Sequence, residues 1–573
     1  MSFALFSTVP LSAADVTNTV VVAVSGDASP QGVGELADHE PPVLGNGGMA
    51  AFAANIRQGT TKTGSGIFLG DGTNLLGAAL EGDSAPNQDG VLGAFTTLVS
   101  TPRINAANQV AFRNSLGSTA IQGGGHGLFV ADPSTSQIRE LARSNTDTPF
   151  GSGTYENATF NAFYTFNDAG QSALSHRALF QGYLSFLGGI FRLDGTVGGN
   201  AEIAIPGQPA PVDGDTFTIA GSGAVNAFGQ VLFWAGTASG NVGLFELDGG
   251  DIRQRMRVGD PTPGGDGDFG FFNPTINAST IAFNDQGQVG IIMRLSNTSG
   301  GLANDDALYR LDPSSAVELI REGDPAPDGN GEILAITSMR IALNNAGQIL
   351  FPATFAGATN GASWGLFIAD DTGITQIVRG NDPAPGGGTF SSLPSGAAEL
   401  ALNDAGQVVF QASVRGNDGF VRTGLFFYDP DEGLLSVIRH GDTFPGLGTM
   451  SGLNFYGGTG IVGSEGSGLN DLGQVAYRAF VGAYRVVAIW SGPRRSAPSQ
   501  PILRTEWTEG GLLRISWDEL DETWKLTAAD QPASTNWNEV DIEPVGQDGV
   551  RSVELPLSQP AQFFRLSKEA GTQ

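Results

Sequence analysis

Aspartates that could bind a cation recur at equivalent places along this chain. They follow a glycine in five Gly-Asp-x-x-Pro turns, at Asp27, Asp83, Asp260, Asp324 and Asp442. Carboxylates brought together from several repeats could hold Ca²⁺ or bind a glycan rich in hydroxyl groups. An aspartate in such a turn also caps the turn itself, because its side chain accepts hydrogen bonds from nearby backbone N–H groups. Capping is the interpretation we favour, and calcium on this ring is the alternative.

Two acidic stretches resemble pieces of calcium-binding loops. They are Gly-Gly-Asp-Gly-Asp-Phe-Gly at 264–270 and the turn at 429–433. Neither has the full alternating series of acidic ligands with a distal glutamate. We therefore interpret both as ordinary turns.

Other catalytic or metal-binding patterns are missing from the sequence. The four histidines, His39, His126, His176 and His440, form no i, i+2 or i, i+4 pair that would suit a metal. No Gly-x-Ser-x-Gly elbow lies between a strand and a helix. The glycine runs at 123–125 and 386–388 lack the lysine of a phosphate-binding loop. We predict no catalytic residue, no bound cofactor and no metal ligand.

Two irregular segments are the best candidates for ligand contacts. The segment from Tyr155 to Phe166 holds five aromatic residues, and the stretch 446–469 is a long glycine-rich insertion. Loops that depart from a repeat consensus often carry binding residues. Packing against the core is the alternative for both segments.

Charge and composition exclude several classes of protein. The chain of 573 residues has 29 basic and 58 acidic residues, a formal net charge of −29, and no cysteine. Such a surface repels phosphate backbones, so nucleic-acid binding is not expected. Disulfides and thiolate chemistry are excluded. We also find no apolar run long enough for a transmembrane helix.

The N-terminal residues 1–19 form a separate segment. A short apolar run precedes Ser12-Ala13-Ala14, which resembles a signal-peptidase site, although the basic residues that usually start a secretory signal are missing. We interpret the segment as a shortened secretory signal, with an ordinary N-terminal arm as the alternative. This interpretation predicts an extracytoplasmic protein.

An internal repeat explains how these residues must be positioned. The phrase Asn403-Asp404-Ala405-Gly406-Gln407-Val408-Val409-Phe410 returns at intervals of about sixty residues. The other copies start at Gly45, Asn105, Asn167, Asn226, Asn284, Asn344 and Asn470. Each Asn-x-x-Gly predicts a tight hairpin, and three further apolar runs follow the pattern of strands. Each repeat is therefore a four-stranded antiparallel meander.

The strands after the turn are apolar on both faces. Val408 and Phe410 lie on one face and Val409 on the other, so neighbouring sheets must cover both. A propeller meets this requirement, with an open solenoid as the alternative. The chain begins with a fourth strand, Val20 to Ser25, and the last repeat lacks one. We therefore predict an all-β, eight-bladed propeller over 20–490 whose N-terminal strand closes the last blade.

A second domain follows the repeats. Residues 491–501 are rich in Ser, Pro and Arg and form a predicted linker. Four of the seven tryptophans lie beyond it, among short strand-like runs. We predict a small fibronectin-like β-sandwich over 502–573.

The repeat resembles a family of bacterial secreted proteins named for the motif Asn-x-x-Gly-x-x-x-x-Phe, in which similar arrays precede variable C-terminal anchors. Matching positions are Asn226/Gly229/Phe233, Asn344/Gly347/Phe351 and Asn403/Gly406/Phe410. Gly45 and Asn108 replace the Asn and the Gly, and Leu174, Ile291 and Tyr477 replace the Phe. The end of the chain, from Ala561 to Lys568, resembles a C-terminal module of secreted planctomycete and verrucomicrobial proteins. The resemblance implies export and no particular reaction.

These observations favour a non-enzymatic bacterial protein, secreted or at the cell surface, that serves as a binding or structural scaffold. The expected partner is a glycan or a protein, and the expected state is a monomer. The alternative is a carbohydrate-active hydrolase or lyase with carboxylates at the propeller mouth.

Overall fold

The computed structural model divides the chain into two compact units, Met1–Gly492 and Pro493–Gln573. In the first unit it describes residues 18–95, 102–121, 125–156, 163–196, 199–211, 214–270, 281–327, 329–336, 340–393, 400–458 and 466–492. In the second it describes residues 504–507, 512–518, 524–529, 538–540, 542, 545–547, 550–555 and 563–568. Strands make up most of the described residues of both units. No helix among these residues is long and apolar enough to cross a membrane.

The first unit is an eight-bladed β-propeller, as predicted. Each blade is an antiparallel sheet in which strands one to four follow one another in space, and blades 1 to 7 follow chain order. In six of the eight blades the first strand is split into two pieces that pair with the same second strand. Inner pieces of successive blades contact one another around the axis, so the first strands form the innermost ring.

The strands have the following bounds. First strands in blades 1 to 8 are Glu35–Ala37 with Val43–Leu44, Val91–Leu92 with Arg103–Ile104, Gly153–Tyr155 with Phe163–Phe166, Phe217–Val225, Asp268–Phe269 with Ile281–Phe283, Glu332–Ile336 with Ala342–Leu343, Thr389–Ser392 with Leu400–Leu402, and Gly448–Asn454. In blade 8 an additional short strand, Thr443–Phe444, pairs with Gly448–Asn454. Second strands are Ala50–Gln58, Val110–Gly117, Ser172–Phe180, Val231–Thr237, Val289–Ser296, Ile349–Ala356, Val408–Arg415 and Gln474–Val481. Third strands are Thr61–Gly70, His126–Asp132, Leu187–Leu193, Val242–Asp248, Asp306–Asp312, Trp364–Asp370, Val421–Asp429 and Tyr484–Ser491. Fourth strands are Leu75–Leu80, Gln137–Arg143, Ala201–Ala204, Asp251–Arg257, Ser315–Arg321, Gly373–Arg379, Gly433–Arg439 and Thr19–Val24. Short 3₁₀ helices occupy Pro86–Gln88 and Gly301–Ala303.

Hydrophobic packing between blades holds the propeller together. Val408 and Phe410 of blade 7 pack with Leu350 and Leu366 of blade 6. Val409, on the opposite face of the same strand, packs with residues of blade 8. A strand buried on both faces has no room for alternating polar residues, which explains the continuous apolar runs in the repeat.

The two ends of the propeller meet in blade 8. Thr19–Val24 pairs with Tyr484–Ser491, opposing Thr19 to Trp490 and Val24 to Val486. Val22 and Ala23 are buried between Ile489 of blade 8 and Phe52 of blade 1. The predicted closure by the N-terminal strand is confirmed, and it pairs the edge of Tyr484–Ser491 that the last repeat would otherwise leave open.

The second unit contains two antiparallel sheets. One consists of Arg504–Trp507, Leu513–Asp518, Val550–Leu555 and Val545–Gln547, and the other of Asn538–Glu539, Trp524–Ala529 and Phe563–Lys568. Ile515, Trp517 and Val553 of one sheet pack with Leu526 of the other. This is the small β-sandwich expected after the propeller.

Candidate functional site

Four of the five aspartates predicted in the Gly-Asp turns cap those turns. In Asp27, Asp83, Asp324 and Asp442, Oδ2 accepts a hydrogen bond of 2.7 to 2.8 Å from the backbone N–H three residues earlier. No residue of the predicted ring, Asp260 included, belongs to a carboxylate cluster of metal-binding size in the described part of the chain. The geometry is that of the capping interpretation.

In the two stretches that resemble calcium loops, Asp266 and Asp429 accept hydrogen bonds from protein groups. Asp266 accepts hydrogen bonds from the Ser299 N–H at 2.7 Å, from the Asn304 amide at 3.0 Å and from Arg321 at 3.0 Å. The pKa of Asp266 is lowered, and the hydrogen bond from the Ser299 N–H is the largest cause. Asp429 accepts from Gln407 at 2.7 Å and from the Asp431 N–H at 2.9 Å.

Two of the four histidines are buried. His39 is fully buried and its Nδ1 lies 3.1 Å from the Arg485 carbonyl oxygen. His176 packs beside Tyr155, with the two rings 5.8 Å apart. Burial lowers the pKa of each to about 4. Within the described residues no histidine belongs to a group that could bind a metal.

A carboxylate cluster that the sequence did not predict lies in blade 5. One ligand oxygen of each of Asp305, Asp306 and Glu322 lies within 4.8 Å of the others. Arg294 contacts Asp305 at 3.3 Å and Asp306 at 3.4 Å. Burial raises the pKa of Asp306 and of Glu322, and neighbouring carboxylates add to both shifts. The cluster adjoins a cleft of about 370 Å³ that Glu322 helps to line.

The two irregular segments meet at an arginine. Arg103, in the inner piece of the first strand of blade 2, donates from Nη2 to the Tyr456 hydroxyl at 3.1 Å. Its guanidinium lies 5.7 Å from the centre of the Tyr164 ring and 5.5 Å from that of Tyr456. Tyr164 belongs to the predicted aromatic segment and Tyr456 to the predicted insertion. Residues 157–162 and 459–465 of these segments lie outside the described residues.

A second buried arginine lies in the blade opposite that of the first. Arg340 lies two residues before the inner piece of blade 6, which is opposite blade 2 in a ring of eight. Burial, more than any other cause, lowers the pKa of Arg340 to about 10; the Tyr456 phenol opposes the shift and the charge of Arg103 adds to it. The inner pieces of the first strands surround the axis, so both arginines lie on the axial side of their blades. We call Arg103, Tyr164, Arg340 and Tyr456 the axial cluster.

The axial cluster offers donors and aromatic faces. Arg103 is 8% exposed and Arg340 is 6% exposed. Nε of both guanidiniums and Nη1 of Arg340 have no hydrogen-bond partner among the described residues. Tyr456 is the partly exposed member. The cluster can therefore bind and orient a polar group, but it provides neither a general base nor an activated nucleophile.

Sequence reasoning missed both arginines, although one left a signal. Two positions before the motif asparagine, four repeats carry alanine, as at Ala224 and Ala401. Arg103 occupies that position in blade 2, where the repeat pattern predicts a small residue. Arg340 lies at a variable position of the repeat, and only the fold shows that it lies opposite Arg103 in the ring.

Comparison with known proteins identifies a family. The profile of a family of unknown function, DUF7453, matches residues 11–378 and 356–482. These residues include almost the whole propeller. No curated protein matches the chain in sequence.

Several solved structures share limited similarity with the chain. A puromycin-hydrolyzing peptidase of Mycobacterium tuberculosis is 11% identical, with a TM-score of 0.37, over 84% of this chain and 58% of the peptidase, so the chain spans less than two thirds of that protein. The WD40 domain of SCAP from fission yeast is 9% identical, with a TM-score of 0.33, over 82% of this chain and 95% of that domain. An ulvan lyase of polysaccharide lyase family PL25 is 11% identical, with a TM-score of 0.29, over 82% of this chain and 94% of the lyase. Similarities this weak carry no functional inference.

Proposed function

The chain belongs to the DUF7453 family, and we propose that its propeller is a non-enzymatic scaffold that binds a glycan or protein partner at the axial cluster. Export from a bacterial cell is part of the proposal. It rests on the signal-like N-terminus and on the resemblance to secreted Asn-x-x-Gly-x-x-x-x-Phe repeat proteins.

One observation carries the proposal. Two segments that break the repeat pattern, far apart in sequence, place Tyr164 and Tyr456 around the same arginine. Packing of the propeller does not require this arrangement, because the other blades close without it. Tyrosine rings and a guanidinium together suit a ligand with flat apolar faces and polar edges, such as a sugar or a peptide.

A carbohydrate-active hydrolase or lyase is the second candidate. It is supported by Asp305, Asp306 and Glu322, where burial raises the pKa of Asp306 and Glu322 beside an open cleft. A carboxyl group that keeps its proton at higher pH is suited to act as a general acid.

Binding of the purified full chain to a broad panel of immobilised bacterial and algal glycans tests both candidates. We expect selective binding that falls at least tenfold in Tyr456→Ala and persists in the control Tyr484→Ala, whose ring is 43% exposed on blade 8. New reducing ends or unsaturated sugars in the same wells would favour the enzyme. No binding to any glycan would contradict the glycan role and leave a protein partner to be sought.

A further inference from the structure

Most of the other buried arginines among the described residues have acidic partners. Arg143 contacts Asp89 at 2.6 Å, Arg310 contacts Asp371 at 2.6 Å, and Arg321 contacts Glu318 at 2.6 Å. A chain with twice as many acidic as basic residues can readily supply such partners. A buried arginine without an acidic partner is therefore unusual in this protein.

The two arginines of the axial cluster have no acidic partner among the described residues. Neither Arg103 nor Arg340 forms an ion pair with a carboxylate in the described part of the chain. Arg103 still has the Tyr456 hydroxyl and the Pro102 carbonyl as acceptors, the latter at 3.1 Å. Arg340 forms no hydrogen bond with any described residue, and its Nε and Nη1 are buried without a partner.

This arrangement is costly for the protein alone. Burying a charge without a partner costs several kcal/mol, and bringing a second positive charge close adds repulsion. Unsatisfied buried polar groups in native proteins usually mark a role or a missing partner. The missing partner here must accept hydrogen bonds and carry negative charge.

From this geometry we infer that Arg103 and Arg340 form an oxyanion-binding site on the propeller axis, which takes a carboxylate, sulfate or phosphate group. A guanidinium presents parallel N–H donors that match the paired oxygens of such a group. Two guanidiniums from opposite blades hold the anion from two sides, while Tyr456 lies within reach of whatever carries it. The inference rests on the proposed function in one respect, since it makes the ligand of that site an acidic glycan.

Two sources of the oxyanion must be distinguished: the free inorganic ion and an anionic group carried by a sugar. We would measure binding of the full chain to inorganic sulfate, inorganic phosphate, an oligogalacturonate and a neutral oligosaccharide of equal length, at constant ionic strength set with chloride. The variants are Arg340→Gln, Arg340→Lys and, as a control, Arg415→Gln, which alters an exposed arginine of blade 7.

We expect the oligogalacturonate to bind at least tenfold more tightly than the neutral sugar. Arg340→Gln should weaken that binding more than tenfold, Arg340→Lys should be intermediate, and Arg415→Gln should match the wild type. Equal affinity for acidic and neutral sugars, or unchanged affinity in Arg340→Gln, would overturn the inference while leaving a glycan-binding role intact. Binding of sulfate or phosphate alone, lost in Arg340→Gln, would uphold the anion site and remove the glycan role.

A stability measurement gives a second, independent readout. If Arg340 is kept for a ligand, Arg340→Gln should unfold at an equal or higher temperature without anions, because it removes an unpaired buried charge. Sulfate should raise the unfolding temperature of the wild type more than that of Arg340→Gln, because binding adds to its general stabilising effect, which acts equally on both. A marked loss of stability in Arg340→Gln, with no effect of any anion on the wild type, would show that Arg340 is structural.

Discussion

At the scale of single residues, the side chain of the motif asparagine forms hydrogen bonds both within its own turn and to the next blade. In Asn403, Oδ1 accepts from the Ala405 and Gln407 N–H groups and closes the turn of its own blade. Its Nδ2 donates to the Asn470 carbonyl in the next blade at 3.0 Å. Seven such links run around the propeller, donated by Asn105, Asn167, Asn226, Asn284, Asn344, Asn403 and Asn470. The link from Asn470 ends at Gly45, which has no side chain to continue the ring.

The motif glycine is required for two separate reasons. Gly406 adopts a φ of +73°, which L-residues with side chains rarely take. A Cβ at this position would also lie 3.0 Å from Oε1 of Gln348 in the preceding blade. The turn therefore packs closely against the preceding blade, so the motif helps to join neighbouring blades.

Replacing one asparagine should test this joining role. We expect Asn403→Ala to lower the free energy of unfolding by about 2 kcal/mol, because it leaves buried donors and an acceptor without partners. Asn74→Ala, in an exposed turn, should cost less than about 0.5 kcal/mol. Urea unfolding followed by tryptophan fluorescence measures both. Similar losses in the two variants would show that the interblade link adds nothing.

At the scale of elements, the closing interface between blades 8 and 1 contains a buried histidine. His39 of blade 1 donates from Nδ1 to the Arg485 carbonyl of blade 8 and packs edge-on against Phe52 at 5.5 Å. Asp38, Arg478 and Arg485 are the charged groups that affect it. Burial is the main cause that lowers its pKa to about 4, and the two arginines add to the shift. The closure therefore requires the neutral imidazole.

The sign of the pH dependence follows from this shift. A histidine whose pKa is lower in the folded state contributes stability that is complete above about pH 6.5 and is lost as the pH falls towards 4. The loss for His39 is roughly 3 kcal/mol over that interval. We expect His39→Gln to flatten the decline of the unfolding free energy between pH 6.5 and pH 4 by about that amount.

The control for this measurement is His126→Gln in blade 2, away from the closure. The unfolding free energy of His126→Gln should fall between pH 6.5 and pH 4 as much as that of the wild type. A wild-type pH profile that is unchanged in His39→Gln would mean that His39 does not control acid unfolding.

At the scale of the whole molecule, the sign of the net charge opposes that of the axial arginines. The chain carries a formal charge of −29, so an anionic ligand is repelled at long range before it meets Arg103 and Arg340. The repulsion is screened as salt shortens the Debye length from about 30 Å at 0.01 M to about 8 Å at 0.15 M.

The association rate of an acidic glycan should therefore rise with salt over this range, whereas that of a neutral glycan should stay constant. Stopped-flow measurement of an oligogalacturonate at several chloride concentrations checks this. A rate that falls with salt would indicate that local positive charge dominates the approach.

Much of this architecture was determined by the sequence alone. The sixty-residue repeat, the apolar residues on both faces of the strand after the turn and the spare N-terminal strand together favoured a closed ring of eight blades over an open solenoid. The sequence carries this information because local patterning and strand pairing act within one repeat or between its neighbours. The turn-capping aspartates followed in the same way, since a side chain three residues from its partner needs no tertiary information.

The axial cluster was decided only by the tertiary structure. The sequence marked the segments of Tyr164 and Tyr456 as irregular, but no pattern related them to Arg103 or related Arg103 to Arg340. Arg103, Tyr164 and Tyr456, from blades 2, 3 and 8, meet because closing the ring brings the inner strands to one axis, and Arg340 lies in the opposite blade 6. The carboxylates of Asp305, Asp306 and Glu322 likewise became neighbours only when two strands of blade 5 paired. Convergence of this kind depends on the geometry of the closed ring, which sequence spacing does not record.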